Sequence, residues 1–384
     1  MKILITTGSW SAPLVIMESL AKQGHDIYLL DNDPYCAGFH SKYCKQGIVS
    51  PNESKGSVYV DAIENIVRSE PFDLLIPAGD LSTEFLSAQR EKILPHVKML
   101  LPSKELIELA RFKDRTYQFA LANGIKIPKT HFPQLLDDVK RLIPGLTFPC
   151  VVKKPRGTAN KGNAYLNNAE ELLSYYEFLS PEDGWPVIQE FIKGDFYGIL
   201  AIADQGEILD CVMFKSHQKY SLSGTAAYCC SVVDEKFLNT AQKFIKLLNW
   251  TGAINIDFLK DRDGDFKLLE INPRLSGTLG FACQLGVDLP VIYLALARGQ
   301  TVKKFEGVRY RPDVMFRFVL PAEIIFAFNQ KRYLWQLFAN FFNFNMKTDI
   351  PWNDFRLLVW KLRHLRWYWQ GKTKESKGMN EKFS

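Results

Sequence analysis

The sequence contains no Cys-x-x-Cys pair. Its seven cysteines (Cys36, Cys44, Cys150, Cys211, Cys229, Cys230 and Cys283) are scattered and odd in number. That pattern argues against a zinc site or a disulfide framework and points to a reducing, cytoplasmic compartment. The adjacent Cys229 and Cys230 read as strand residues on opposite faces. No apolar run is long enough to span a bilayer, and Met1-Lys2 leads straight into a strand pattern, so no secretory leader is expected. The first strand–turn–helix pattern lacks Gly-x-Gly-x-x-Gly, since only Gly8 is present, which disfavours a dinucleotide dehydrogenase. Gly-Lys-Ser/Thr opening a helix is also absent, so there is no Walker A loop. Excess charge is missing from most of the chain. The net charge is +6, yet Lys331–Ser384 alone carries 11 Lys+Arg against 4 Asp+Glu, which leaves the body near neutral. A nucleic-acid partner is therefore not expected.

The remaining features describe a folded chain of two or three units, with 384 residues and 47% hydrophobic content. Residues 2–7 read as a buried parallel strand, 12–23 as a helix closed by Gly24, and 25–31 as a second strand ending in Asp31. This is a Rossmann-like half, in which Asp31 reads as a loop-capping acid. A helix over 58–70 and a strand over 72–77 follow. Asp80 lies just past that strand, where it could contact a substrate or cap the helix over 81–90. A short strand and turn over 100–103 lead to a helix capped by Ser103. Phe112-Lys-Asp-Arg115 opens an amphipathic helix that ends at Asn123-Gly-Ile-Lys-Ile-Pro128. Phe148-Pro-Cys-Val-Val-Lys-Lys-Pro155 is a strand carrying Lys153 and Lys154, and a Gly/Thr/Asn loop over 156–162 follows it. A lysine beside such a loop can hold phosphate through backbone N–H groups and a point charge. Strands over 186–192, 196–203 and 207–215, a polar loop over 216–225, a helix over 237–248 and a strand over 253–259 complete the pattern.

The most informative stretch is Phe266–Gly277. Glu270 and Asn272 are two residues apart in a strand pattern and so project to one face. Asp261-Arg-Asp-Gly-Asp265 makes a hairpin that places Asp257 on the partner strand, within reach of the same ion. Arg274 follows Pro273. Hard oxygen ligands beside an arginine suit Mg²⁺ and a nucleoside triphosphate.

Taken in order, Phe-Lys-Asp-Arg, Gly-Ile-x-Ile-Pro, Phe-Pro-x-Val-Val-Lys, Gln-Glu-Phe-Ile-x-Gly, Ile-Asn-Ile-Asp-Phe and Leu-Glu-Ile-Asn-Pro-Arg resemble the ATP-grasp ligases. The similar branch contains the carbamoyl-phosphate synthase large chain, biotin carboxylase and amino-acid ligases. The resemblance covers roughly 1–300. It implies an α/β plus α+β fold: a Rossmann-like parallel sheet over 1–108, then a two-part ATP-grasp fold with antiparallel sheets over 109–187 and 188–325. A basic aromatic helical tail occupies 326–384. ATP and Mg²⁺ (or Mn²⁺) are the implied cofactors. Lys113 matches the family's first nucleotide lysine. The second is Lys153 or Lys154; the Phe-Pro-x-x-x-Lys spacing favours Lys153. Gly157 and Gly162 lie in the phosphate-covering loop. Gln189, Glu190, Phe191 and Ile192 match the adenine hinge, Asp257, Glu270 and Asn272 the metal ligands, and Arg274 the cation beside the reacting phosphate. Many relatives hold the ribose with Glu two residues after the hinge glycine; here that place is Phe196, with Asp195 as the substitute.

The implied reaction is carboxylate–amine ligation through an acyl phosphate, with small-molecule acid and amine substrates. Arg274 and Lys153 would carry the catalytic charge. A nucleotide-binding scaffold with little turnover is the alternative that Phe196 motivates. The tail holds five of the eight tryptophans. Its helical pattern through Leu357, Leu358, Trp360, Lys361 and Leu365 suits an anionic membrane surface, as in an enzyme of envelope polysaccharide modification. It equally suits a docked partner or packing on the body.

Overall fold

The structure is a computed structural model that describes residues 1–156, 163–179, 184–216, 228–324, 333–341 and 346–364. The first sheet contains β1 (Lys2–Ile5), β2 (Asp26–Asp31), β3 (Cys44–Val49), β4 (Leu74–Ile76) and β5 (Lys98–Met99) in the order β3-β2-β1-β4-β5. The ladders are parallel, and the strands that carry the core are short apolar runs, as burial on both faces requires. The first helix forms at Ser11–Lys22 and the next at Ser57–Ser69. Asp31 accepts hydrogen bonds from the Ser9 and Asp33 backbone N–H groups at 2.8 and 2.9 Å, which fixes the turn after β1.

A four-stranded antiparallel sheet follows: β6 (Thr130–His131), β7 (Cys150–Lys153), β8 (Asn163–Leu166) and β9 (Val187–Glu190), in the order β6-β9-β7-β8. The largest sheet contains β10 (Asp195–Asp204), β11 (Glu207–Ser216), β12 (Tyr228–Ser231), β13 (Gly252–Lys260), β14 (Phe266–Asn272), β15 (Met315–Arg317) and β16 (Lys347–Thr348). Its order is β14-β13-β10-β11-β12-β15-β16, antiparallel except for the β15–β16 pair. Cys229 and Cys230 lie in β12, as the sequence suggests.

Several boundaries differ from expectation. The strand over 186–192 ends at Glu190, so Phe191 and Ile192 belong to the connection that follows. The strand expected near 100 forms at Lys98–Met99, and Leu100 instead uses its carbonyl to accept the Tyr293 hydroxyl at 2.7 Å. β3 has no counterpart in the sequence reading because it is an edge strand with Lys45, Gln46 and Gly47 in its middle, which breaks the apolar signal.

One buried apolar cluster joins the first sheet to the largest one and to the tail. It includes Ile3, Ile5 and Leu29, then Leu200, Ile202 and Val212, then Leu357 and Trp360. The amphipathic tail helix forms at Phe355–Arg363. Asp354 caps it through the Leu357 N–H at 3.2 Å and also accepts the Lys42 N–H at 3.1 Å and the Ser41 hydroxyl. Trp360 stacks on His40 at 5.5 Å and on His364 at 4.1 Å. The apolar face drawn as a membrane contact is therefore covered by the N-terminal domain in this helix. The helix Leu334–Phe341 is different: Trp335 and Phe338 are 75% and 56% exposed.

Candidate functional site

Alternation along β13 and β14 builds the site. Ile254, Ile256, Phe258, Leu268 and Ile271 enter the core. Asn255 and Asp257 share the other face of β13. The ladder sets Asn255 opposite Asn272 and Asp257 opposite Glu270. All four oxygen-bearing side chains thus lie together on one face. A register shift follows Asp257, because Phe258 pairs with Leu268 and Leu269 is bulged out. The Leu269 carbonyl accepts the Tyr117 hydroxyl at 2.6 Å, so the bulge is fastened to the helix Lys113–Ala122.

Asn255 Nδ2 donates to Asp257 Oδ1 at 3.2 Å, and Asn272 Nδ2 donates to Asp257 Oδ2 at 3.3 Å. Burial pushes the Asp257 carboxyl up to about 7, with the Glu270 charge adding to it. Two carboxylates face each other here, and Lys113 Nζ reaches Glu270 Oε2 only at 4.0 Å. Asn255 is 3% exposed, and its Oδ1 is buried without a hydrogen-bond partner. An orphaned amide oxygen beside two opposed carboxylates suits a small hard cation. Among the described residues, no three His, Cys, Asp or Glu side chains are grouped so as to hold a metal ion by themselves, so a Mg²⁺ here would need phosphate oxygens to complete its shell.

Lys113, at the start of its helix, is fixed by its N–H to the Pro155 carbonyl at 2.9 Å. Lys153 is 7% exposed at the end of β7 and donates to the Tyr117 hydroxyl at 3.0 Å. Burial lowers its ammonium to about 8, against a smaller raising effect of Glu270. Lys154 lies just past the strand and is half-buried. The Glu270 charge acts on Lys153. Gln189 sits opposite Val151 and therefore on the Lys153 face. It is 2% exposed and donates to Thr130 Oγ1 at 2.9 Å. Glu190 faces the other way, accepting the Lys129 N–H at 2.7 Å and Lys267 Nζ at 3.3 Å. Phe191 packs edge-on against Tyr165, and Ile192 is half-buried in the same connection. Asp195 is exposed and pairs with Lys215 at 2.8 Å. Gly157 and Gly162 lie outside the described residues, as does the polar loop from 217 onward.

Arg274 projects toward the N-terminal domain. Its Nε and Nη2 donate to the two Asp80 oxygens at 2.7 and 3.2 Å. Burial opposes ionisation of Asp80, but the charges and hydrogen bonds of Arg274, with Arg111 and Lys113 behind it, hold its carboxyl below the usual range. Asp80 opens its helix without capping it, since Gly79 occupies the cap position. Sequence reasoning passed over Asn255, Tyr117, Arg111 and Glu84. The first two had signals: Asn255 is two residues before Asp257 on a strand, and Tyr117 is four after Lys113 on a helix.

A family model described as ATP-grasp in the biosynthetic pathway with Ter operon matches residues 186–315. The biotin carboxylase domain of Hydrogenobacter thermophilus 2-oxoglutarate carboxylase superposes with a TM-score of 0.67 at 17% identity, over 82% of this chain and 73% of that one. The protein is built on the ATP-grasp fold. An L-amino acid ligase from Bacillus licheniformis shares the fold with a TM-score of 0.64 at 16% identity, covering 82% and 78% of the two chains. In sequence, the Gemmatimonas aurantiaca carbamoyl phosphate synthase large chain is 20% identical over 327 residues, which is 82% of this chain and 29% of that protein. The chain spans less than a third of the length of the curated relatives it matches. Within the ATP-grasp fold, β7 and β9 belong to the smaller sheet and β13 and β14 to the larger. The site described above therefore lies where both parts meet the helix Lys113–Ala122.

Proposed function

We propose that the protein is an ATP- and Mg²⁺-dependent carboxylate–amine ligase. The observation that carries this reading is the shared polar face of Asn255, Asp257, Glu270 and Asn272, with Lys113 at 4.0 Å from Glu270. Mg²⁺ (or Mn²⁺) would sit between Asp257, Glu270, Asn272 and the nucleotide phosphates and would neutralise phosphate charge during transfer. Lys113 and Lys153 hold the phosphates. Gln189 and Glu190 at the end of β9, with Phe191 and Ile192 in the connection after it, form the hinge against which adenine packs, and Asp195 offers an acid to the ribose. The substrate carboxylate attacks the γ-phosphate, ADP leaves, and an amine then displaces phosphate from the acyl phosphate to form the amide. Arg274 offers its remaining N–H groups to the oxygens of the phosphoryl group in transit.

The neighbours suggest the first acids to try, because one was solved with MgADP and bicarbonate and another is an L-amino acid ligase. With a suitable acid, Mg·ATP-dependent phosphate release is expected, and hydroxylamine should trap the acyl phosphate as a hydroxamate. A panel of bicarbonate, amino acids and small acids that yields no ADP would overturn the reading.

Contact of the tail with an anionic lipid surface is a second reading, favoured by Trp335 and Phe338, which stack at 5.7 Å on a helix without charged residues. The joint variant Trp335→Ala/Phe338→Ala should bind phosphatidylserine vesicles at least about tenfold more weakly than the parent chain. Equal sedimentation would end that idea. Point substitution is the appropriate test, since truncation at Gln330 would remove Leu357 and Trp360 from the core.

A further inference from the structure

Around Asp80 the structure gathers more positive than negative charge. Asp80 is 2% exposed and Arg111 is 4% exposed. Arg274 takes both Asp80 oxygens, and Arg111 Nη1 lies 3.7 Å from Oδ1. Arg111 also donates through Nε to Glu84 at 3.2 Å, which in turn holds Arg156 at the base of the loop that follows β7. Arg111 Nη2 remains buried without a partner. The Trp10 indole lies over the Arg274 guanidinium, 5.4 Å from ring centroid to Cζ, and is 39% exposed.

This arrangement fixes the orientation of Arg274. Its Nε–Nη2 edge is taken by Asp80 and one face of its plane by the Trp10 ring. The remaining edge consists of Nη1, which also donates to the Leu275 carbonyl at 3.4 Å, and the second Nη2 hydrogen. An end-on fork of this kind matches two oxygens of one phosphoryl group. Arg274 stands two residues after Asn272, and its backbone N–H donates to the Asn272 carbonyl at 2.8 Å, which ties it to the end of the metal face. The two groups that orient it come from the N-terminal sheet domain. Trp10 follows β1 and Asp80 follows β4, the two strands between which the strand order reverses, where ligands meet a parallel sheet. Thr7, a β-branched residue held at φ +62°, begins the turn that carries Trp10. Gly79 permits the close approach of the two loops, since a Cβ there would fall 2.6 Å from Thr7 Oγ1.

We propose that Asp80 and Trp10 are positioning residues for phosphoryl transfer. They hold the Arg274 fork toward the phosphoryl group in transit, which makes the N-terminal domain a working part of the site. The inference rests on the ligase reading above, and the experiment separates the two. Calorimetry on the full chain would compare Mg·ADP with Mg·ADP plus aluminium fluoride, a mimic of the phosphoryl group in transit. Asp80→Asn should keep ADP affinity within about twofold and weaken the fluoride complex by at least about tenfold. Trp10→Ala should weaken the fluoride complex selectively, and Trp10→Phe should restore it. In an Arg274→Met background, Asp80→Asn should add nothing further. Equal fluoride-complex affinity in the parent, Asp80→Asn and Trp10→Ala would overturn the proposal while leaving the ligase reading intact. If Asp80→Asn loses ADP binding as well, Trp10→Ala decides, and an unchanged fluoride complex there overturns it. Absence of ADP binding by the parent would remove the ligase reading and this inference with it.

Discussion

Glu270→Gln should abolish Mg²⁺-dependent turnover, by at least about a thousandfold, while making the metal-free protein more heat-stable. Both effects follow from one geometry. Asp257 and Glu270 are opposed across β13 and β14, and Lys113 approaches Glu270 only to 4.0 Å. Burial and the Glu270 charge together raise the Asp257 carboxyl to about 7. In the metal-free state the pair repels, and replacing one charge by an isosteric amide relieves that repulsion. The gain is on the order of 1 kcal/mol. With Mg²⁺ the sign reverses, because the amide oxygen is a weaker ligand and no longer balances the ion's charge. Phosphate release measures the first effect, and thermal melts with and without Mg·ATP measure the second. Turnover within about tenfold of the parent would remove Glu270 from the metal site. A lower melting point without metal would contradict the repulsion. A scaffold that binds nucleotide without chemistry predicts a third pattern: unchanged ATP affinity and no turnover in either protein.

How far this site could be read from the sequence depended on whether the information was local. The pairing of Asp257 with Glu270 was legible because a five-residue hairpin, Asp261–Asp265, forces the two strands into contact. The Leu269 bulge was not, since it depends on Tyr117, 152 residues away. The role of Asp31 was legible because a strand-terminal acid beside a tight turn has few other uses, and it does accept the Ser9 and Asp33 N–H groups. Asp80 was placed at the correct end of its strand, but its bond to Arg274 spans 194 residues and links the first sheet to the largest one. The tail shows a different limit. Periodicity identified an apolar helix face through Leu357 and Trp360 but carried no information about what covers it. His40 and the first sheet domain do so.

Lys153→Met should stabilise the protein and at the same time eliminate nucleotide binding. Lys153 is buried at the end of β7, where it donates a hydrogen bond to Tyr117 Oη at 3.0 Å. Burial lowers its ammonium from the ordinary lysine range to about 8. A lysine with a folded-state pKa below its unfolded value binds its proton less well in the native state. Below about pH 8 the native protein therefore carries a penalty of about 3 kcal/mol, and the penalty fades as pH rises toward the unfolded value of about 10.4. Methionine has a similar length and no charge, so it removes the penalty and fills the same space. Denaturant unfolding at pH 7 should show Lys153→Met more stable than the parent by about 2–3 kcal/mol, with the difference shrinking between about pH 8 and 10.4. Loss of stability at pH 7 would mean that the Tyr117 contact outweighs the burial of the charge. Under the proposed function, phosphate oxygens would add counter-charge to the small contribution of Glu270. Mg·ADP should therefore raise the parent's melting point and leave that of Lys153→Met unchanged. An equal rise in both would show that Lys153 does not meet the phosphates and would transfer that role to Lys154. A site that destabilises its own fold until substrate arrives is the expected signature of a functional lysine, because a structural one would have been given a carboxylate partner.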